Sequence, residues 1–286
     1  MPSVPPLELS WRFWELTLVT NQVSVWLAGS LLLYGALLCM LWFKQEALLF
    51  SPQKLLAEHL FAPASDIHET WVEVPGARLN ALHLRLPKPD GVVFFLHGNG
   101  GSLQNWFVNP EFYRRANHDL FMIDYRGYGK SSGSITSEAQ LHDDVRAAWR
   151  SVATLYQGKQ RVFLGRSLGS GLAAALSAAE PPDLLVLVSP YFSMQALAAE
   201  HYPWVPGAVL RYPLRTDLRL PLLPNAVLLL HGERDNLIDP GHSLRLQLLL
   251  PGAARVVVAG AAHNDLQDFA GYTDTLAQAL AAGRRP

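Results

Sequence analysis

Ser167 stands in Gly165-Arg166-Ser167-Leu168-Gly169, directly after the apolar run Val162–Leu164 and before an alanine-rich stretch. This strand-to-helix setting for a Gly-x-Ser-x-Gly motif is that of a nucleophile elbow. Small glycines let neighbouring backbone close around a strained serine whose hydroxyl points out of a sheet edge. A serine hydroxyl is a weak nucleophile until a base takes its proton, and the base needs an acid to hold it. The spacing therefore asks for an acid and a histidine further on, each just past a strand.

Both are present in the required order. Asp235 follows the apolar run Val227–Leu230 in His231-Gly232-Glu233-Arg234-Asp235, and His263 follows the run Val256–Val258 in Gly260-Ala-Ala-His263-Asn264. Asp239 shares the first loop, but its place before Pro240 reads as a turn or a cap for the next helix, so Asp235 is favoured as the acid. His142 and His242 fall on expected helices and read as solvated. His97 and His231, each before a glycine at a strand end, read as loop-holding residues. Stabilising an oxyanion needs two aimed donors, for which the backbone N–H groups of Leu168 and of Asn99 in His97-Gly98-Asn99-Gly100-Gly101 are the candidates.

Positioning such residues requires a mostly parallel sheet with helices on both faces, because ligands then meet the carboxyl ends of the strands. Short continuous apolar runs at Val92–Leu96, Leu120–Ile123, Val162–Leu164, Leu184–Val188, Val227–Leu230 and Val256–Val258 suit strands buried on both faces. Thr70–Val74 and Leu79–Leu86 alternate around Pro75-Gly76 and read as an antiparallel edge pair. Helical patterns occupy about 137–156, 169–179, 241–250 and 272–282. The stretch of about 30 residues from Tyr191 to Pro221 exceeds an ordinary connection and reads as a small helical lid. Its apolar side chains, Tyr191 and Phe192 above all, are candidates to line an acyl-binding channel, while Tyr202 and Trp204 read chiefly as lid packing.

Val23–Phe43 runs 21 residues without a charge, about 31 Å of helix and enough for a bilayer's hydrocarbon core. Trp26, Trp42 and Phe43 sit near its ends. The run is longer than a signal-peptide core, and Leu41-Trp42-Phe43-Lys44 is no cleavage site. The expected organisation is an N-terminal segment over 1–22, a single-pass membrane anchor over 23–43, a juxtamembrane connector over 44–66 with a short amphipathic helix from Gln53 to Phe61, and an α/β domain over 67–286. Arg12 on one flank against Lys44 and Lys54 on the other assigns no membrane orientation.

Together, His97-Gly98-Asn99-Gly100-Gly101, Asp124-Tyr125-Arg126-Gly127-Tyr128-Gly129-Lys130-Ser131, Gly165-x-Ser167-x-Gly169 and His231-Gly232-Glu233-Arg234-Asp235 resemble the α/β-hydrolase superfamily. The anchor followed by Leu49-Phe50-Ser51-Pro52, with His201-Tyr202-Pro203-Trp204, resembles the Bem46 and ABHD13/ABHD17-like membrane-associated serine hydrolases. The resemblance implies the same triad and oxyanion assignments and, for the ABHD17 branch, protein depalmitoylation as one activity of that group.

Other chemistries fit poorly. A formal net charge of −1 supplies no field for a polyanion, so nucleic acid is not an expected partner. Gly129-Lys130-Ser131 fails as a phosphate loop because Asp124 stands where the first glycine belongs, and Leu103 breaks the Gly-x-Gly-x-x-Gly pattern. No nucleotide, metal or other cofactor is expected. Cys39, the lone cysteine, excludes an internal disulfide, and no His/carboxylate pair has metal-ligand spacing. Asp124 and Arg126 are expected to form a structural ion pair beneath the site. The reading is a serine hydrolase acting on an ester or thioester of a small-molecule or lipid-like acyl substrate. A peptidase or amidase on the same triad, or a scaffold that keeps the fold without chemistry, stay open.

Overall fold

The computed structural model describes residues 8–61, 64–223 and 226–283, with side chains from residue 22 onward. The expected N-terminal segment lies partly outside the described residues. The chain divides into two units, one ending at Gln45 and one beginning at Glu46. Helix α1 (Glu8–Leu49) contains a stretch, Gln22–Leu49, of 28 residues with mean hydropathy 1.9, long and apolar enough to cross a membrane. The uncharged run 23–43 lies inside it. Many of its side chains, including those of Trp26, Leu32 and Phe43, are exposed.

The second unit is built on strands β1 (Ser51–Pro52), β2 (Ile67–Val74), β3 (Ala77–Leu84), β4 (Gly91–Leu96) and β5 (Gly100–Gly101), followed by the short helices α2 (Leu103–Trp106) and α3 (Pro110–Arg115). Then come β6 (His118–Ile123), α4 (Glu138–Ala153), β7 (Gln160–Arg166), α5 (Leu168–Ala179) and β8 (Leu184–Val188). The chain ends through α6 (Met194–His201), α7 (Thr216–Arg219), β9 (Ala226–Gly232), α8 (Gly241–Leu249), β10 (Ala254–Val258) and α9 (Ala270–Ala282). The main sheet has eight strands in the order β10-β9-β8-β7-β4-β6-β3-β2. From β10 to β6 the pairing is parallel, and β3 joins antiparallel to both β6 and β2.

Burial on both faces explains the unbroken apolar runs. Val92, Phe94 and Leu96 of β4 face one core with Leu141 and Trp149 of α4 and Leu172 of α5. Val93 and Phe95 face the other, with Phe112 of α3 and Leu276 of α9. The period-two alternation survives, but both sets of side chains are apolar because neither face meets water.

β4 and β7 lie side by side, with Leu96 opposite Gly165. The chain leaves β4 for β6 on one flank and returns to β7 on the other, which opens a crevice at their carboxyl ends. Helix α5 closes in there: a Cβ on Gly169 would lie 2.0 Å from the Leu96 carbonyl oxygen and 2.7 Å from that of His97.

The connector differs from expectation. Residues 51–52 form β1, paired in parallel with β5, and Lys54 bridges to Gly129, so no helix starts at Gln53. Exposed Leu56 and Leu60 lie in turn and irregular structure, and the backbone groups of 51–55 are taken by the loops around Gly101 and Gly129. Gly169→Ala is expected to destabilise the domain by at least about 2 kcal/mol, because two backbone carbonyls must move. Urea unfolding of the detergent-solubilised protein checks this; an unchanged midpoint would contradict the close approach.

Candidate active site

Ser167 occupies the turn between β7 and α5 at φ 51°, ψ −118°. An L-residue enters that region only when its surroundings hold it there. The Ser167 N–H donates to the Val188 carbonyl at 2.9 Å and its own carbonyl accepts from the Ser170 N–H at 2.9 Å. Tyr191, fully buried, donates its hydroxyl to the Leu168 carbonyl at 2.9 Å.

His263 lies past β10, with Nε2 3.1 Å from Ser167 Oγ and Nδ1 2.7 Å from Asp235 Oδ2. The carboxylate accepts a hydrogen bond from Nδ1–H, which leaves Nε2 unprotonated and free to accept from the serine hydroxyl. Asp235 lies just past β9 and is buried. Its Oδ1 accepts the N–H groups of Leu237 at 3.0 Å and Ile238 at 2.8 Å. His231 Nε2 donates to the Ile238 carbonyl at 2.8 Å and sits 3.3 Å from Asp235 Oδ2. Burial pushes the Asp235 carboxyl upward, but hydrogen bonds from His231, His263 and the Ile238 backbone outweigh it and hold the group well below the usual carboxylate range. Asp239 instead holds the turn that leads into α8, its Oδ1 accepting the Gly241 N–H at 2.7 Å.

Leu168 is the first residue of α5, where an N–H has no acceptor within the helix. The loop after β4 lies against the serine: a Cβ on Gly98 would come 3.6 Å from Ser167 Cβ. In that loop Asn99 Oδ1 accepts both the Ser51 N–H at 3.1 Å and the Tyr128 hydroxyl at 3.0 Å.

Arg166 is a component that motif reading missed. Its guanidinium is buried and donates to the His263 carbonyl at 2.8 Å and to Gln267 Oε1 at 2.7 Å, while lying 5.3 Å from the Trp106 ring centroid. Gln267 in turn donates to the Asn264 carbonyl at 2.9 Å. The residue before Ser167 thus ties the turn between β7 and α5 to the loop that carries His263. Burial lowers the Arg166 pKa. The available signal was a charge placed between a buried strand and a buried helix.

Asp124 and Arg126 do not pair with each other. Arg126 makes a bidentate contact with Asp144 of α4 and donates to the Pro75 carbonyl. Asp124 faces inward, accepting the Leu103 N–H at 2.9 Å and lying 3.6 Å from His97 Nε2. Burial pushes the Asp124 carboxyl up to about 7 and pulls His97 down to about 4. The α4 carboxylate offers the Arg126 fork a bidentate fit from 18 residues away, a partner that local spacing does not reveal.

The lid side chains divide differently from expectation. Tyr191 is a buried brace under α5, not a channel wall, because its hydroxyl is committed to Leu168. Phe192 is half-buried, packed on the core and covered by the Arg245 guanidinium at 4.0 Å. Its N–H donates to Nδ1 of His242, which is buried rather than solvated and also contacts Glu200. Tyr202 and Trp204 are 55% and 48% exposed. A cavity of ≈ 600 Å³ is lined instead by Phe95, Trp106, Val108, Phe112, Arg166 and Tyr272, among others. Trp106 lines this cavity and also abuts Gly98, where a Cβ would come 2.8 Å from its ring. Among the described residues no cluster of metal-ligating side chains occurs.

Residues 87–216 match the family model for serine aminopeptidase, S33. The chain is similar to alpha/beta hydrolase domain-containing protein 17C of Xenopus tropicalis, 29% identical over 215 residues, covering 73% of this chain and 67% of that one. It is also similar to an uncharacterized protein of Mycobacterium tuberculosis, 36% identical over 152 residues, which span about half of each chain, 51% and 53%. Among solved structures, an esterase of Pyrococcus furiosus superposes with a TM-score of 0.63 at 17% identity, covering 83% of this chain and 98% of that one. At that identity the likeness establishes the α/β-hydrolase fold.

Two outcomes are expected. Arg166→Ala should lower kcat toward a suitable ester about 10- to 100-fold with little change in KM, and Arg166→Lys should recover part of the loss, since the histidine loop loses its tie to the elbow. Equal kcat for Arg166→Ala and wild type would contradict the tie. Asp124 has its pKa raised from 3.8 to about 7. Its contribution is therefore complete below the unfolded value and is lost as pH rises through about 7. Asp124→Asn, which keeps the acceptor for Leu103 and carries no charge, should gain stability relative to wild type between about pH 5 and about pH 8. Urea midpoints at the two pH values measure the difference.

Proposed function

We propose that this chain, an ABHD17-like α/β hydrolase, is a membrane-anchored serine hydrolase that cleaves a carboxylic ester or thioester through an acyl-enzyme intermediate. The observation that carries this reading is the hydrogen-bonded line Ser167 Oγ, His263 Nε2, His263 Nδ1, Asp235 Oδ2, with separations of 3.1 and 2.7 Å. Ser167 attacks the acyl carbon as His263 takes its proton. Asp235 stabilises the imidazolium that forms. The developing oxyanion is met by the N–H groups of Leu168 and Asn99, whose orientation in advance of the reaction removes a reorganisation cost. Collapse expels an alkoxide or thiolate, which takes the proton from His263. Water then repeats the sequence and frees Ser167. None of these steps calls for a cofactor.

The acyl group is proposed to be apolar. Phe95, Trp106, Val108 and Phe112 give one wall of the cavity beside the elbow a hydrocarbon surface. Each buried methylene adds up to about 0.8 kcal/mol when the contact persists in the transition state. The helix Gln22–Leu49 is proposed to hold the enzyme in a bilayer as a single-pass anchor, through length and apolar character. A second reading, amide cleavage on the same residues, draws on the serine aminopeptidase family match.

A fluorophosphonate probe is expected to label wild type and not Ser167→Ala. His263→Ala and Asp235→Asn should lower kcat by about three orders of magnitude or more. Labelling of Ser167→Ala would move the nucleophile elsewhere, and absence of labelling in wild type would favour a scaffold. In the series from acetyl to octanoyl p-nitrophenyl esters, kcat/KM should rise, and Val108→Trp should reduce it most for octanoyl. A flat series with turnover of a peptide amide would favour the second reading. Full-length protein should resist carbonate extraction from membranes, and its appearance in the supernatant would remove the anchor.

A further inference from the structure

The motif Leu49-Phe50-Ser51-Pro52 has no part in the triad, yet the segment that begins with it is built into the loops around the elbow. The Ser51 N–H donates to Asn99 Oδ1 at 3.1 Å, and the Gln53 N–H donates to the Gly101 carbonyl at 2.9 Å. On its other edge the Gly129 N–H donates to the Gln53 carbonyl and the Leu55 N–H to the Gly129 carbonyl, both at 2.9 Å. The segment therefore runs between two glycine-rich loops, 98–101 and 127–129, and joins them. Upstream, buried Phe50 packs edge-on to Tyr212 at 5.2 Å, and the Tyr212 hydroxyl donates to Glu46 at 2.8 Å.

The side chains of Ser51, Pro52 and Gln53 are exposed, so what this segment supplies is its main chain. Gly98, Gly100 and Gly101 give the loop after β4 little stiffness of its own, because glycine has more backbone freedom to lose than any other residue. Asn99, between them, is held through its side-chain oxygen by two donors, Ser51 N–H from the connector and the Tyr128 hydroxyl. Holding that carboxamide fixes the residue, and with it the direction of the residue's backbone N–H.

We infer that the juxtamembrane segment Ser51–Gln53 is a positioning element of the active site: it orients Asn99, so that the Asn99 N–H is aimed at the oxyanion before substrate arrives. The inference rests on the function proposed above, with Ser167 as nucleophile and the Asn99 N–H as an oxyanion donor. The segment touches no reacting atom and acts through Asn99.

The test uses the full-length protein in detergent micelles, with p-nitrophenyl butyrate as substrate and a butyl trifluoromethyl ketone as inhibitor, whose adduct places an oxyanion in the same site. Ser51→Pro removes the N–H that Asn99 accepts, Ser51→Ala keeps it, and Asn99→Ala removes the acceptor while leaving the backbone N–H. Ser51→Pro and Asn99→Ala are each expected to lower kcat about tenfold and to weaken the ketone by a similar factor, with KM within about twofold of wild type. Ser51→Ala should retain kcat. The double variant should lose no more than Asn99→Ala alone, since the contact that Ser51→Pro removes is one of the two that Asn99→Ala already removes, whereas independent damage would add. The inference is overturned if Ser51→Pro melts like wild type and keeps kcat, or if Asn99→Ala keeps kcat. Should Ser51→Pro fail to fold, Asn99→Ala decides against Tyr128→Phe, which removes only the other donor: the inference stands if Asn99→Ala loses more kcat than Tyr128→Phe and falls if the two lose the same. Fluorophosphonate labelling of Ser167→Ala would sink the underlying assignment together with this inference. Labelling that depends on Ser167, with kcat retained in Asn99→Ala, would sink the inference alone.

Discussion

A serine held at φ 51° with its hydroxyl out of the sheet edge is a conformation that the residue does not adopt on its own, so the surroundings must enforce it. Enforcement comes from close packing of three backbones: β4, β7 and the first turn of α5. Gly165 and Gly169 have no side chain because a Cβ at either position would lie 2.3 Å or less from a carbonyl oxygen. The Ser167 N–H is taken by β8 and the Leu168 carbonyl by Tyr191. Much of the architecture reads as a consequence of that turn. A parallel sheet brings the ends of β4, β7, β9 and β10 to one edge, and burial of both sheet faces keeps those strands from shifting.

Charge is distributed around the elbow so that each buried ionic group has a distinct partner set. Asp235 accepts hydrogen bonds from the Leu237 and Ile238 backbone amides and from His263, with His231 beside it, a cage that favours the carboxylate despite burial. Arg126 is neutralised by Asp144, away from the crevice. Arg166 is held by neutral acceptors and the Trp106 face, and its two hydrogen bonds go to the segment that carries His263. By contrast, Asp124 and His97 lie buried side by side, and Asp124 Oδ2 and His97 Nε2 have no hydrogen-bond partner among the described residues. Desolvation there favours the neutral form of both groups. The two carboxylates follow one rule, in which the donors aimed at the charged form decide whether burial raises or lowers the pKa.

The segment between β8 and β9 and the segment before β2 change roles relative to their composition. The first is rich in aromatic residues, yet Tyr191 braces α5, Phe192 is covered by Arg245, and Tyr202 and Trp204 face outward. The cavity opens instead beside Trp106 and Arg166. The second has the composition of a surface linker but supplies main-chain hydrogen bonds to the loops around Asn99 and Gly129. Apolar content shows that a side chain will be covered somewhere, not by what.

The sequence by itself determined the α/β architecture, the antiparallel edge pair and the apolar N-terminal helix, because these rest on periodicity and run length, which are local properties. It also placed Ser167, Asp235 and His263 at strand ends, since the strand-to-turn signals flank each of them. The tertiary structure alone decided which side chains meet. Asp144 rather than Asp124 took Arg126, and His242 became buried between Phe192 and Glu200. Residues 51–52 became a strand and Lys54 a bridge because the loops at Gly101 and Gly129 offered main-chain partners, and Arg166 reached a carbonyl 97 positions away. Pairings of this kind depend on separation in space after the sheet has formed, and local composition does not encode that distance.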